Sequence, residues 1–278
     1  MKFLAPAKVN LYLEILGKRP DGYHEIRSLV RRVDLGDEME ISLEGQGIKL
    51  VAEGKGIPDG EENLACRGAR FFFEELGIKK GLTIRLKKRI PVAAGLGGGS
   101  SDAAAVMMGL NALLETGWTQ DRLMALGAKI GADVPFFIFQ KPALAGGIGE
   151  RLTPVGFPEP MWFLMLIPPF PISTAWAYAA YDRLSHQGKE PVPLKDSYVD
   201  ITEILPVMRN DLEAAAFLMF PQIGRMKEEL LAKGAQGALM TGSGPTTYGI
   251  FSSRKEAEET KKDMTLPTGW RTIICRGI

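Results

Sequence analysis

Alternating strand and helix signals predict a two-domain chain, α/β in its first half and α+β in its second. Three observations carry that reading. Residues 82–90 alternate apolar Leu82, Ile84 and Leu86 with polar Thr83, Arg85 and Lys87, the period of a half-buried strand. A Gly-rich loop follows, and residues 103–114, rich in Ala, Met and Leu, then read as a buried helix with Ser and Asp capping its entry. In the second half the signals fall in the order β-α-β-β-α-β with extra helices inserted, the ferredoxin-like pattern. A length of 278 residues accommodates one large or two ordinary domains. The boundary is placed after Arg151-Leu152-Thr153-Pro154, dividing the chain into 1–155 and 156–278.

The remaining elements follow in chain order. Residues 2–16 alternate as a strand, Arg19-Pro20-Asp21-Gly22 is a turn, and 29–33 and 38–43 read as two further strands. Residues 54–62 are a polar loop and 64–76 have helical spacing. A helix is expected from about Thr119 to Gly131, then a short apolar strand over 134–139 and a turn at Gly146-Gly147-Ile148-Gly149. Residues 162–167 form a buried strand closed by Pro168 and Pro169, and Ser173 caps a helix running to about Leu184. Beyond a loop with Pro191 and Pro193, helical segments cover roughly 200–233. Paired strands at 238–240 and 246–251 flank Thr241-Gly242-Ser243-Gly244-Pro245, and a polar helix over 255–264 precedes a last strand over 270–275.

Composition narrows the function classes. The net charge is +1, so no general nucleic-acid or membrane surface is expected. Cys66 and Cys275 stand far apart, as do His24 and His186, which leaves no zinc or iron–sulfur spacing and no disulfide framework. Lys8 and Asn10 interrupt the N-terminal apolar run, so no signal peptide is read there, and no apolar stretch reaches the ~20 residues that span a bilayer. The expectation is a soluble cytoplasmic protein, monomer or homodimer, with small-molecule partners.

The loop Pro91-Val92-Ala93-Ala94-Gly95-Leu96-Gly97-Gly98-Gly99-Ser100-Ser101-Asp102 carries the chemistry. Glycine lets a backbone come close to a ligand, and a helix N-terminus offers unpaired N–H groups and a favourable dipole to an anion. A polyphosphate, with ATP first, is the predicted ligand. The loop is not a P-loop, since no Lys follows its last glycine, and Ser100 stands where a dinucleotide motif needs Gly or Ala. Phosphoryl transfer also needs positive charge and a group that orients or deprotonates the acceptor. Lys8 breaks an apolar strand, and Asp133 lies at the mouth of the apolar run Val134-Pro135-Phe136-Phe137. From spacing alone both have ordinary readings, Lys8 as a solvated strand residue and Asp133 as a turn or cap residue.

Three separated segments resemble the GHMP kinase family: Pro6-Ala7-Lys8-Val9-Asn10-Leu11, Gly95-Leu96-Gly97-Gly98-Gly99-Ser100-Ser101, and Thr241-Gly242-Ser243-Gly244-Pro245. Within that family, Asp21-Gly22-Tyr23-His24-Glu25, Glu62-Asn63-Leu64, Gly131-Ala132-Asp133-Val134-Pro135-Phe136-Phe137 and Asn210-Asp211-Leu212-Glu213 resemble members that phosphorylate a cytidine diphosphate-linked sugar alcohol on the way to isoprenoid precursors. The resemblance implies an N-terminal domain like the second domain of ribosomal protein S5, followed by a ferredoxin-like domain. It implies ATP as phosphoryl donor, accompanied by Mg²⁺. Lys8 and Asp133 become the catalytic pair, with Asp133 taking the hydroxyl proton and Lys8 steadying charge. Pro91, Ala93, Ala94, Gly95, Leu96, Gly97, Gly98, Gly99, Ser100 and Ser101 hold ATP, with Asn63 and Leu64 near the adenine.

For the acceptor, Tyr23 and Tyr178 sandwich the cytosine, with Trp176 and Tyr181 as competitors for the second face, and His24 reads the base edge. Asn10 and Thr174 contact the sugar alcohol, while Gly242 and Ser243 close the site. The segment Lys87, Lys88, Arg89 reads equally well as a solvated face, and the role of Asp102 is open. Another GHMP kinase of homoserine or mevalonate type, or a non-catalytic nucleotide-binding member, are the alternatives.

Overall fold

A computed structural model describes residues 1–184 and 192–278; the loop expected around Pro191, and His186, lie outside the described residues. The chain opens with a long antiparallel pair, β1 (Lys2–Lys18) and β2 (His24–Ser42), joined by a turn in which Tyr23 N–H donates to Asp21 Oδ1 at 3.1 Å. Next come β3 (Ile48–Glu53), α1 (Leu64–Leu76), β4 (Leu82–Lys87), α2 (Gly98–Leu113), α3 (Gln120–Ala128), α4 (Val134–Phe139), β5 (Ala143–Gly146) and β6 (Arg151–Pro154). The second half contributes β7 (Trp162–Ile167), α5 (Thr174–Asp182), α6 (Ile201–Ile204), β8 (Arg209–Asn210), α7 (Glu213–Met219), α8 (Pro221–Ala232), β9 (Gly237–Met240), β10 (Thr247–Phe251), α9 (Arg254–Asp263) and β11 (Arg271–Arg276).

Two sheets result. The first runs β3-β4-β2-β1-β8, with β5 and β6 joined through β2; the second is antiparallel in the order β11-β7-β10-β9, the arrangement of a ferredoxin-like layer. The long pair lies between α1–α4 on one face and the second sheet on the other. Ala5, Met39 and Ile41 pack with the helices, whereas Ala7, Val9, Leu11, Leu29 and Val33 pack with Phe163, Met165 and Tyr248. Ala5 and Ala7 share strand parity yet face different layers, because the β1–β2 register shifts between Pro6 and Ala7. Lys8 and Asn10 alternate with Val9 and Leu11 and are therefore turned away from the second sheet's core.

Several expected elements take a different form. Residues 134–139 are helix, not strand. A six-residue apolar run fits either, and here Pro135, which lacks an N–H for a ladder, stands in the first turn, where that loss costs nothing. The two strands expected at 29–33 and 38–43 are one, since β1 stays paired across the bulge at Asp34–Leu35. Strand β4 stops at Lys87, three residues early, because the Arg89 and Ile90 amides turn to Asp37 Oδ1 at 2.6 and 2.8 Å. Helix α2 starts at Gly98, with Gly97 at its N-cap and no side-chain cap, so the expected Ser/Asp capping is absent.

Strands β3, β5, β6 and β8 were not anticipated; β8 interrupts the helical run over 200–233 to pair with β1. Helix α1 matches its expected span, with Asn63 capping it and Gly68 packed 3.2 Å, by an added Cβ, from Ala103 O on α2. No helix among the described residues is long and apolar enough to cross a membrane.

Phe72 of α1 is fully buried, its ring 4.5 Å from that of Trp118. Phe72→Ala is expected to lower unfolding free energy by about 3–5 kcal/mol in urea titrations; a loss under about 1 kcal/mol would contradict the α1–α2 core described here.

Candidate active site

A cavity of about 880 Å³ opens between the two sheets. Its wall is built from β1, the β1–β2 turn and the start of β2, the loop before α2, the turn before α4, one side of α5 from Thr174 to Asp182, and the 241–245 loop of the second sheet. Lys8 and Asn10 reach it from β1, and both are buried. Lys8 Nζ donates to Asn10 Oδ1 at 2.5 Å, Asn10 Nδ2 donates to Ser28 Oγ at 2.8 Å, and Ser28 Oγ donates to the Tyr12 carbonyl at 2.6 Å. The backbone of Asn10 is tied to the second sheet: its N–H donates to Thr241 Oγ1 at 3.1 Å and its carbonyl accepts from Tyr248 OH at 2.8 Å. Burial pulls the Lys8 ammonium below the ordinary lysine range, and the nearby Asp133 carboxylate opposes that shift. Asp133 holds the N-cap position of α4 without using its side chain to cap. The carboxylate and the ammonium line the same cavity and make no direct ion pair.

The Gly-rich loop is pinned where Lys8 N–H donates to Leu96 O at 3.0 Å. Its glycines are there because side chains do not fit. A Cβ on Gly95 would stand 2.3 Å from Thr241 O, and one on Gly97 2.9 Å from the Phe137 ring, with φ at +75° and +71°. The first bond of α2 is Ser101 N–H to Gly97 O at 2.9 Å, so the Gly98, Gly99 and Ser100 amides have no partner within the helix. Such a terminus suits an anion.

Most residues expected to bind nucleotide line this cavity, from Pro91 to Ser100 together with Asn63 and Leu64. Ser101 does not. Its hydroxyl is buried without a partner and lines a second, smaller cavity with Arg32 and Phe137. The Asn63 side chain is already committed to capping, accepting from Ala65 N–H at 3.0 Å and donating to Pro58 O at 2.9 Å.

Lys88 is a correction to the solvated-face reading. Its ammonium is buried between Asp37 Oδ2 and Asp102 Oδ2, 2.6 Å from each, and a Cβ on Gly98 would lie 3.0 Å from it. Asp102 is thus a buried partner of Lys88, and burial pushes its carboxyl up to about 7 despite that cation. Its Oδ1 has no hydrogen-bond partner.

At the far end of the cavity, His24 stacks on Tyr178, with ring centroids 4.8 Å apart and planes inclined by 27°. Burial, with the charge of Asp133 adding, pushes the Tyr178 phenol above its usual value, so the ring stays neutral. Of the three candidates for the second stacking face, Tyr178 lines the cavity. Tyr181 is buried in the core, and Trp176 packs edge-on to Phe220. Tyr23 is 60% exposed at the rim. Thr174 and Ser243 meet across the opening with hydroxyls 3.1 Å apart, and Gly242 approaches Lys8 so closely that an added Cβ would be 3.0 Å from Nζ. Sequence reasoning missed Lys18 and Asp182, which join here: Asp182 accepts from Lys18 Nζ and pairs with His24 Nε2, each at 2.6 Å. The available signal was an acidic residue at the C-terminal end of a helix, where the dipole disfavours it.

Known proteins resemble this chain along its whole length. The family model described as GHMP kinases N terminal domain matches residues 63–141, and that described as GHMP kinases C terminal matches 199–266. A 4-diphosphocytidyl-2-C-methyl-D-erythritol kinase of Geobacter metallireducens is 44% identical over 99% of this chain and 97% of its own. The kinase of that name from Geobacter sp. (strain M21) is 47% identical over 100% and 99%. A crystal structure of 4-(cytidine 5'-diphospho)-2C-methyl-D-erythritol kinase superposes with a TM-score of 0.81 at 34% identity, covering 100% of both chains. A mevalonate kinase crystal structure, at 14% identity and TM-score 0.72, shares the fold.

The raised Asp102 carboxyl has a consequence for stability. Between its unfolded value, near 4, and about 7, the native state binds a proton that the unfolded chain does not, so this group makes stability fall as pH rises across that window. Asp102→Asn should flatten that slope in urea midpoints measured from pH 4.5 to 7.5. An unchanged slope would show that the carboxyl is not proton-bound there.

Proposed function

This chain belongs to the GHMP kinase family, and from that premise we propose that it transfers the γ-phosphoryl group of ATP to the 2-hydroxyl of 4-diphosphocytidyl-2-C-methyl-D-erythritol, giving the 2-phosphate and ADP. This is a step in non-mevalonate isoprenoid precursor synthesis. The single observation that carries the reading is the convergence of Lys8, Asp133 and the glycine cradle on one cavity that ends in an aromatic and histidine cluster.

The geometry supports a role for each residue. The triphosphate lies on the unpaired Gly98, Gly99 and Ser100 amides, where the helix dipole and closely packed backbone favour it. The adenine lies toward Leu64, past the Asn63 cap. At the other end, the cytosine stacks against Tyr178, Tyr23 closes over it from the rim, and His24 reads its edge. Asn10 and Thr174 hold the sugar alcohol, and Gly242 and Ser243 bring the second sheet over it. Asp133 accepts the proton of the 2-hydroxyl, and Lys8, oriented by Asn10, balances charge on the acceptor oxygen and the transferring group. In a loose transition state the hydroxyl becomes acidic only as transfer proceeds, so Asp133 acts late.

A Mg²⁺ entering with ATP would neutralise phosphate charge, and the residues present fit it. Asp102 is among the lining residues, its Oδ1 is buried without a partner, and one carboxylate with phosphate oxygens suits this ion.

Asp133→Asn and Lys8→Met are each expected to lower kcat by about 10²–10⁴ in an ADP-release assay with the cytidine-linked acceptor. Near-normal turnover of Asp133→Asn would remove it as the base. In the same assay, turnover of mevalonate or homoserine in place of that acceptor would overturn the substrate reading. Gly95→Ala, strained at its φ and clashing with Thr241 O, is expected to weaken ATP binding by about fivefold or more by calorimetry, given the ~1–3 kcal/mol cost of such strain. Unaltered affinity would place the triphosphate elsewhere.

A further inference from the structure

Lys18 and Asp182 line this cavity, pair with each other and with His24, and have no role in the reaction described above. Asp182 is the last residue of α5, where the helix dipole disfavours a carboxylate, so its position calls for a compensating interaction. It has two. Lys18 Nζ donates to Oδ2 and His24 Nε2 lies 2.6 Å from Oδ1, and these hydrogen bonds, Lys18 foremost, hold the carboxyl below its usual range.

An ionised carboxylate only accepts hydrogen bonds. His24 Nε2 must therefore carry its proton, and in the neutral ring Nδ1 is left with a lone pair. The ring cannot swing to exchange the two nitrogens freely: its side chain is 7% exposed and stacked on Tyr178. A fixed acceptor thus stands beside the face against which the base stacks. Cytosine and uracil differ at C4, where one carries an amino donor and the other a carbonyl acceptor. A lone pair facing that position gains a hydrogen bond from the amine and opposes the carbonyl.

We propose that Asp182 is the positioning residue for pyrimidine choice: through Nε2 it locks His24 in the tautomer whose Nδ1 accepts from the cytosine 4-amino group and rejects the uracil 4-oxo group. Lys18 supports this by holding the second carboxylate oxygen, which keeps Asp182 ionised. The inference rests on the cytidine-linked substrate proposed above. It separates Asp from Asn at this position, because an amide can turn its NH₂ toward Nε2 and stabilise the opposite tautomer, which presents N–H to the base.

The test uses the full chain and two readouts that do not need turnover. Calorimetry with CDP and UDP measures base choice. Long-range ¹H–¹⁵N spectra identify which His24 nitrogen is protonated, with His186→Gln assigning the other of the two histidines. The wild type is expected to prefer CDP by about tenfold or more and to carry the proton on Nε2, since a mispaired polar group in a recognition site costs at least that much. Asp182→Asn is expected to erase most of the preference, while Asp182→Glu, which keeps the carboxylate, retains part of it. A proton on Nδ1 in the wild type, equal affinity for CDP and UDP, or an unchanged ratio in Asp182→Asn would each overturn the proposal. A clear CDP preference lost in Asp182→Asn, in a protein that transfers no phosphoryl group to the cytidine-linked acceptor, would uphold this inference and sink the functional reading.

Discussion

The hydrogen-bond knot at Asn10 is the constraint on which the rest of the site depends. One residue of β1 orients the Lys8 ammonium through its side-chain oxygen, anchors to β2 through Ser28, and joins the second sheet through Thr241 and Tyr248. All of these groups are buried, where an unmade bond costs about 1–3 kcal/mol and every partner therefore stays engaged. The Gly-rich loop is drawn into the same knot, since Thr241 Oγ1 lies 3.4 Å from Gly95 O and Leu96 O accepts from Lys8 N–H. The 241–245 loop has its own support: Asn210 Nδ2 donates to Met240 O and Gly242 O at 2.7 and 2.8 Å. Strand β8, only two residues long, thus connects the first sheet to the loop that covers the cavity.

Charge is balanced around the cradle in a way that serves an anionic ligand. Two buried acids, Asp37 and Asp102, lie behind the α2 N-terminus, and left bare they would repel a polyphosphate. Lys88 is held between them, and the raised Asp102 carboxyl reduces their negative charge further. Asp37 meanwhile receives the Arg89 and Ile90 amides, so the same carboxylate that balances Lys88 turns the chain from β4 toward the glycine loop.

Much of this was legible in the sequence. Alternation marked β1 and β4 and helical spacing marked α1, whereas β7, buried along nearly its whole length, was marked as an apolar run closed by Pro168 and Pro169. The cradle, Lys8 and Asp133 were legible because each breaks a local rule: glycines in a row, a cation in an apolar strand, an acid at the head of an aromatic run. What was missed depends on partners far along the chain. Lys88 looked solvated because its neighbours Lys87 and Arg89 are charged, and only the fold brings Asp37 and Asp102 to it across 51 and 14 residues. The helix at 134–139 was hidden because a short apolar run has no period to read. Ser101 belonged to the motif by sequence but lines a second cavity with Arg32 and Phe137, since successive helical residues diverge by roughly a quarter turn or more.

The two ends of the cavity differ in what their walls are made of. At the cradle the wall is main chain, with Gly95, Gly97 and Gly242 so tightly backed by Thr241 O, Phe137 and Lys8 that a methyl group does not fit. At the far end the wall is side chain, from Tyr23, His24, Tyr178 and Asp182. Main-chain surfaces can be altered only by moving the fold, whereas side-chain surfaces change one residue at a time. Variation in such a chain is therefore channelled: the glycine-loop end stays fixed while the aromatic end is free to diverge. An engineer seeking a new substrate would find the adjustable positions on the β1–β2 turn and α5, and almost none on the loop that leads into α2.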